Sequence, residues 1–260
     1  MAADSVHTIH HRETVMGTVV TIDLYTTDGE AGARIAGQLT TARELLHQAD
    51  AIFSTWHHDS PVSRLRRGEI TAAQAPAEVS EVLAECAVAR EASGGWFDPW
   101  AMPGGVDPTG YVKGWAAQRA LRAFGAENLS GVIVNAAGDI ACSGGLGQGK
   151  PFRIGITDPL APRRLAAIVE LTAAIATSGT YERGEHLIDP HTGRPAARVA
   201  SASVTGPDLG LADALATALA VAGPDGLLRV EALDGYEALL IAHGGERLST
   251  AGFPFAPDQP

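Results

Sequence analysis

Cysteine is nearly absent from this 260-residue chain. Cys86 and Cys142 are far apart in sequence and in no metal-type spacing, which disfavours both a disulfide scaffold and a zinc finger. Positive charge is scarce too. Lys and Arg number 19 against 30 Asp and Glu, for a formal charge of −11, and this argues against nonspecific binding to nucleic acid or to an anionic membrane surface. Lysine is the rarer cation, with only Lys113 and Lys150. No apolar run reaches the roughly 18 residues of a membrane-spanning helix; the most apolar stretches are interrupted by Glu170 and Asp213. The opening MAADSVHTIHHRETVMGT has no apolar targeting core, so the expected location is the cytoplasm. Neither GxSxG nor HExxH occurs, which removes two hydrolase routes.

What is present is an ordinary globular balance, 45% hydrophobic and 19% charged, in a chain long enough to bury a full core unaided. Residues 19–25 predict a strand by their β-branched content. Apolar residues at helical spacing predict a helix over 31–50, and Pro76 opens a second that runs to about Ala92. A glycine- and proline-rich passage, 96–114, leads into an amphipathic helix over 115–124. GVIVNAAGDIACSGG reads as a hairpin turning at Ala137–Gly138. Further strands are expected in PFRIGITDP, RLAAIVELTAAIATSG, ARVASASVT and YEALLIAH, and helices over 209–222 and 224–233. This mixture of hairpins and helices predicts an α+β (mixed α/β) domain, one compact unit or a two-lobed one. Residues 13–250 would form it, between a flexible tail at 1–12 and a frayed tail at 251–260. His7, His10 and His11 fall in the first of these tails.

Several local patterns carry chemistry. In LADALATALAVAG, Asp213 and Thr217 are four apart and share a helix face. A carboxylate and a hydroxyl side by side form part of a hard-cation site, of the kind Mg²⁺ completes with substrate phosphates; the same Asp213 also reads as a first-turn residue favoured by the helix dipole. In HLIDPHTGRP, His186 can take a hydroxyl proton near neutral pH, while Asp, Pro, Thr and Gly there also make an ordinary turn. VDPTGYVKG joins a loop to a helix start, where backbone N–H groups and Lys113 suit an anion; a corner with a solvated lysine is the plainer reading. Trp56, Trp96, Phe97 and Trp100 gather beside loops although aromatics make up 5% of the chain. They suit a planar ring system or a core equally.

Taken together and in order, these segments resemble the ApbE family, the FAD:protein FMN transferases. MGTVVTI resembles the family's opening MGT strand, and FSTWHHDSPVSRL its S-T-Y…S-x-x-S-R-L segment. SGGWFDP is similar to its G-x-F-D-P turn, and VDPTGYVKGWA to its D-L-G-x-x-x-K-G-x-A helix start. NAAGDI stands where the family has N-x-G-G-D/N, with Ala137 in place of a glycine. SGTYERGEHLIDPHTGRP matches S-G-x-Y-E-R…H-x-I-D-P-x-T-G-x-P, and ADALATAL matches the metal-binding helix nearly letter for letter. The long insertion that family members carry after F-D-P-T is missing.

The resemblance implies an ApbE-like (T-fold-like) fold, and Mg²⁺ held by the side chains of Asp213 and Thr217 and the backbone carbonyl of Gly110. It implies an FAD site lined by Met16, Trp56, Trp96, Phe97, Asp98, Asp107, Lys113 and Ile188, with Trp56 where the family has tyrosine. His186 would accept the hydroxyl proton, with Asp189 as the alternative. The implied reaction moves the FMN half of FAD onto a Thr or Ser hydroxyl of an acceptor protein and releases AMP. Hydrolysis of FAD to FMN and AMP, or flavin binding without catalysis, are the competing expectations.

Overall fold

In β3 (Gly131–Ala136) the run GVIV shows no polar alternation, because both faces of this strand are covered. Val132 and Val134 point into one core, and Ile133 points into another. The computed structural model describes residues 6–26, 32–125, 129–147, 149–179, 187–196 and 198–259. Its centre is an antiparallel eight-stranded sheet in the order β1–β2–β3–β4–β7–β10–β11–β12. Besides β3 these strands are β1 (His7–Val15), β2 (Thr18–Thr26), β4 (Asp139–Gly144), β7 (Ala174–Gly179), β10 (Ser201–Gly206), β11 (Glu237–Ile241) and β12 (Arg247–Ser249). On one face lie α1 (Gly32–Phe53), α3 (Ala77–Ala92), α4 (Thr109–Arg122) and α5 (Leu209–Ala222), enclosing the larger core. On the other face a hairpin of β5 (Phe152–Asp158) and β6 (Ala161–Leu171) packs Phe152, Ile156 and Val169 against Ile133, Ile175 and Leu239. The expected α+β class is the observed one. The short α2 (Pro61–Arg66) and α6 (Leu227–Glu231), and the small pair β8 (Ile188–Asp189) with β9 (Arg194–Pro195), complete it.

Three expectations need correction. Residues 7–12 are not a flexible tail: β1 pairs with β2 along its whole length. Polar residues on both faces of this edge strand hid it. His10 meets Asp23 across the pair at 2.7 Å, and Glu13 reaches α1, where it accepts from Arg43 at 2.5 Å and contacts His47 at 2.9 Å. Residues 251–259 are not frayed either. Phe253 is buried, Phe255 bridges Val169, and the Ala256 N–H bonds to the Ile168 carbonyl at 2.8 Å. The helix expected from Trp115 begins six residues earlier, at Thr109, so Gly110 and Lys113 are helical.

One stretch, Leu209–Glu231, is apolar enough by composition to span a membrane, but 67% of its most apolar window is buried inside this fold. Its hydrophobic surface is used by α4, β7 and β10. The α4–α5 contact is closed by two glycines. A Cβ at Gly114 would lie 2.4 Å from the Leu209 carbonyl oxygen, and one at Gly210 would lie 2.7 Å from the Tyr111 ring.

Two outcomes follow from this packing. Gly114→Ala should lower stability by about 1–3 kcal/mol in denaturant unfolding, as overpacking against backbone does; an unchanged midpoint would show that the helices separate freely. Arg43 first, then His11 and His47, hold the Glu13 carboxyl down from 4.5 to about 2. That carboxylate therefore stabilises the fold fully above the unfolded value and loses its contribution as pH falls towards 2. Glu13→Gln should lower Tm at neutral pH, with the gap to the parent closing on acidification; a gap independent of pH would contradict the assignment.

Candidate active site

Two hairpin turns begin the site. Met16–Gly17 links β1 to β2, and Ala137–Gly138 links β3 to β4; all four residues have positive φ. Two-residue turns of this kind match the twist of the strands they join. Met16 (φ 53°) and Ala137 (φ 54°) are the only non-glycine residues with positive φ among those described. Both line the same cavity, of about 690 Å³. Uncommon backbone conformations concentrated at one cavity are a pointer to function.

The cavity collects most of the sequence-predicted residues. Its aromatic part comes from Trp56, Trp96 and Phe97. Trp56 stands 92% exposed at the rim. Phe97 is buried, and Trp96 packs edge-on against His191, with ring centroids 4.5 Å apart, and under the Arg198 guanidinium at 5.1 Å. Asp98 and Asp107 are also in the lining, and both have structural partners. Asp98 accepts from the Trp100 N–H at 3.0 Å and pairs with Arg90 of α3 at 2.6 Å. Asp107 accepts from the Thr109 N–H and hydroxyl at the start of α4 and pairs with Arg66 of α2 at 2.5 Å. These two carboxylates fix the loop that leads into α4. Ile188 lines the cavity as well.

The polar end lies where α4 and α5 meet. Gly110, Lys113, Asp213 and Thr217 all line it. A Cβ on Gly110 would come within 3.8 Å of the Thr217 hydroxyl, so α4's first turn faces α5 directly. Thr217 Oγ1 lies 3.2 Å from Ser178 Oγ on β7, another lining residue. Asp213 is 3% exposed, and its Oδ2 accepts from the Gly114 N–H at 3.3 Å. Burial first, and then the neighbouring Asp139 carboxylate, raise the Asp213 carboxyl well above the usual range; Lys113 and the Gly114 N–H oppose that.

The donors converging here are a carboxylate, two hydroxyls and a backbone turn, all hard oxygens of the type Mg²⁺ takes. Among the described residues no three His, Cys, Asp or Glu side chains gather in a metal-binding group. This set thus fits a cation that draws its remaining ligands from substrate phosphates and water, rather than one caged by protein.

Two sequence-predicted residues stand apart. Asp189 is not in the cavity lining. Its Oδ1 accepts from the His191 N–H at 2.9 Å and meets His191 Nδ1 at 3.2 Å, closing the turn between β8 and β9. Burial works to raise this carboxyl, but the bonds from His191 and Thr192 outweigh it and leave it below the ordinary value. His186 lies outside the described residues; Leu187, its neighbour in sequence, lines the cavity.

One residue was missed. Asp139, at the start of β4, is wholly buried, accepts from the Thr177 N–H at 3.1 Å and pairs with Lys113. In the sequence it closes the β3–β4 turn in NAAGDI, where a tight hairpin accounts for the residues without giving the acid a task.

Comparison with known proteins agrees with this geometry. The sequence model of the ApbE family matches residues 16–104 and 101–240. The FAD:protein FMN transferase of Rhodobacter capsulatus is 35% identical over 144 residues, 52% of this chain and 27% of that protein. Its counterparts from Klebsiella pneumoniae and Escherichia coli are 32% and 31% identical over 156 residues, 56% of this chain and 45% and 44% of theirs. The matched part thus spans less than half the length of these curated relatives. The flavin transferase ApbE from Vibrio cholerae superposes with a TM-score of 0.83 at 23% identity, covering 96% of this chain and 99% of that one. The ApbE protein from Thermotoga maritima gives 0.78 at 24% identity, covering 95% and 98%. At such identities these two likenesses speak for the fold. The family match runs from the Met16 turn to β11 and takes in every lining residue named above, and this chain belongs to the ApbE family.

Proposed function

We propose that this protein is an FAD:protein FMN transferase that uses Mg²⁺ and moves FMN from FAD to a Thr or Ser hydroxyl of an acceptor protein. The observation that carries the reading is the make-up of the cavity. Aromatic side chains suited to a planar ring line one part of it, and an oxygen cluster with a lysine suited to a diphosphate lines another. About 690 Å³ lies well within the range of small-molecule sites.

In this reading Asp213, Thr217 and the Gly110 carbonyl hold Mg²⁺, which when bound offsets negative charge on the phosphate oxygens. Trp56, Trp96 and Phe97 bind and orient the flavin end. Lys113 meets a phosphate as a point charge. The acceptor hydroxyl oxygen forms a bond to the FMN-side phosphorus, the phosphoanhydride bond breaks, and AMP leaves. His186 takes the hydroxyl proton; its chain position next to Leu187 supports that role, and Asp189 is engaged in its own turn. Positioning and charge neutralisation do most of the work in such transfers.

Incubation with FAD, Mg²⁺ and a candidate acceptor should yield AMP and an acceptor whose mass has increased by one FMN unit. Asp213→Asn keeps the shape of a protonated carboxyl. It should leave the metal-free Tm at or above the parental value while reducing Mg²⁺-dependent FAD turnover by two orders of magnitude or more, about the cost of losing a main charge-stabilising group. FMN and AMP without an acceptor adduct would assign hydrolysis instead. Parental turnover by the Asn variant would remove the metal from the mechanism.

A further inference from the structure

Asp139 takes no part in the proposed reaction, yet it is wholly buried and paired with Lys113, a residue that lines the cavity. A carboxylate in such a place is costly unless it is paired and hydrogen-bonded. Both of its oxygens are engaged. Oδ1 accepts from the Thr177 N–H of β7 at 3.1 Å, and Oδ2 faces the Lys113 ammonium of α4. Thr177 is itself fixed, with its hydroxyl 2.8 Å from that of Ser203 on β10. Asp139 is therefore bolted to the sheet, whereas Lys113 is a charge on a flexible four-carbon stem. Lys113 is 26% exposed, and it lines the cavity beside Asp213.

We propose that Asp139 is a positioning residue that acts through Lys113: it holds the ammonium beside Asp213, so that a phosphate of the dinucleotide meets a fixed cation. The inference rests on the flavin-transfer reading, since it is there that Lys113 meets a diphosphate. It separates the two buried carboxylates by task. Asp213 serves the metal, and Asp139 serves the lysine. Without Asp139, the ammonium can swing towards Asp213 and compete with the divalent cation.

A double-mutant cycle on the full chain tests this, with Asp139→Asn, Lys113→Met and the pair combined. The readouts are FAD affinity without metal, by flavin fluorescence, and kcat and KM with Mg²⁺. Asp139→Asn alone should lower kcat about 10–100-fold, the usual cost of losing a partner that orients a site's inner groups. FAD affinity should stay within about twofold of the parent, the limit of additive behaviour. In the Lys113→Met background the same substitution should change neither quantity by more than about twofold. An equal kcat loss in both backgrounds would show that Asp139 acts on its own, as a metal ligand or a structural group, and would overturn the proposal. So would an Asn variant with parental kcat. If Asp139→Asn does not fold, the double variant removes both charges together, and its comparison with Lys113→Met decides: equal values support the proposal, and a further loss overturns it. A parent that binds no FAD would overturn the flavin-transfer reading and this inference with it; FAD binding with additive losses would overturn this inference alone.

Discussion

Two carboxylates buried side by side repel each other, and a fold keeps them only if cations and donors bind the pair together. Asp139 and Asp213 are such a pair, and much of the architecture serves them. Lys113 from α4 neutralises one, and the Gly114 N–H bonds to the other. Both contacts require α4 and α5 to approach closely, and the glycines at 114 and 210 permit it. Thr177 on β7 fixes Asp139 from the sheet side. The oxygen cluster is thus held by two helices and two strands at once, and the divalent ion proposed for it would meet ligands already placed.

The rest of the cavity is arranged around that cluster by turns and loops. The two hairpins bring Met16 and Ala137 to its edge in left-handed conformations that glycine adopts more easily. The loop before α4 is tied down by Asp98 and Asp107, each paired with an arginine from a different helix. These acids line the cavity yet spend their charge on the scaffold. Trp56 lines the cavity and stays exposed at its rim.

Much of this was legible in the sequence, and the omissions have physical causes. ADALATAL, the IDPHTG turn and the hairpin at Ala137–Gly138 identified themselves, because helix spacing and turn chemistry are local properties. Met16, Trp56, Trp96, Phe97, Asp98, Asp107, Gly110, Lys113, Ile188, Asp213 and Thr217 all reach one cavity. β1 was not legible, since an edge strand with polar residues on both faces carries no alternating signal; what holds it is the distant partnership of Glu13 with Arg43 and His47. The closing segment was missed for a similar reason, as Phe253 and Phe255 dock on a hairpin nearly 90 residues away in sequence. Asp139 is the instructive case. Its role depends on a lysine and a backbone N–H supplied by other elements, and no local pattern shows that.

Asp213, Thr217 and Gly110 are proposed to form a divalent-cation site beside a bound diphosphate. Crystals grown with FAD and Mn²⁺, a cation that scatters anomalously, test it most directly. The account predicts an anomalous peak bonded to the Asp213 carboxylate, the Thr217 hydroxyl and the Gly110 carbonyl, in contact with the diphosphate of FAD and with Lys113 on a phosphate oxygen. FAD bound in the cavity with manganese elsewhere, or with Asp213 still closed against Gly114 and no cation beside it, would contradict it.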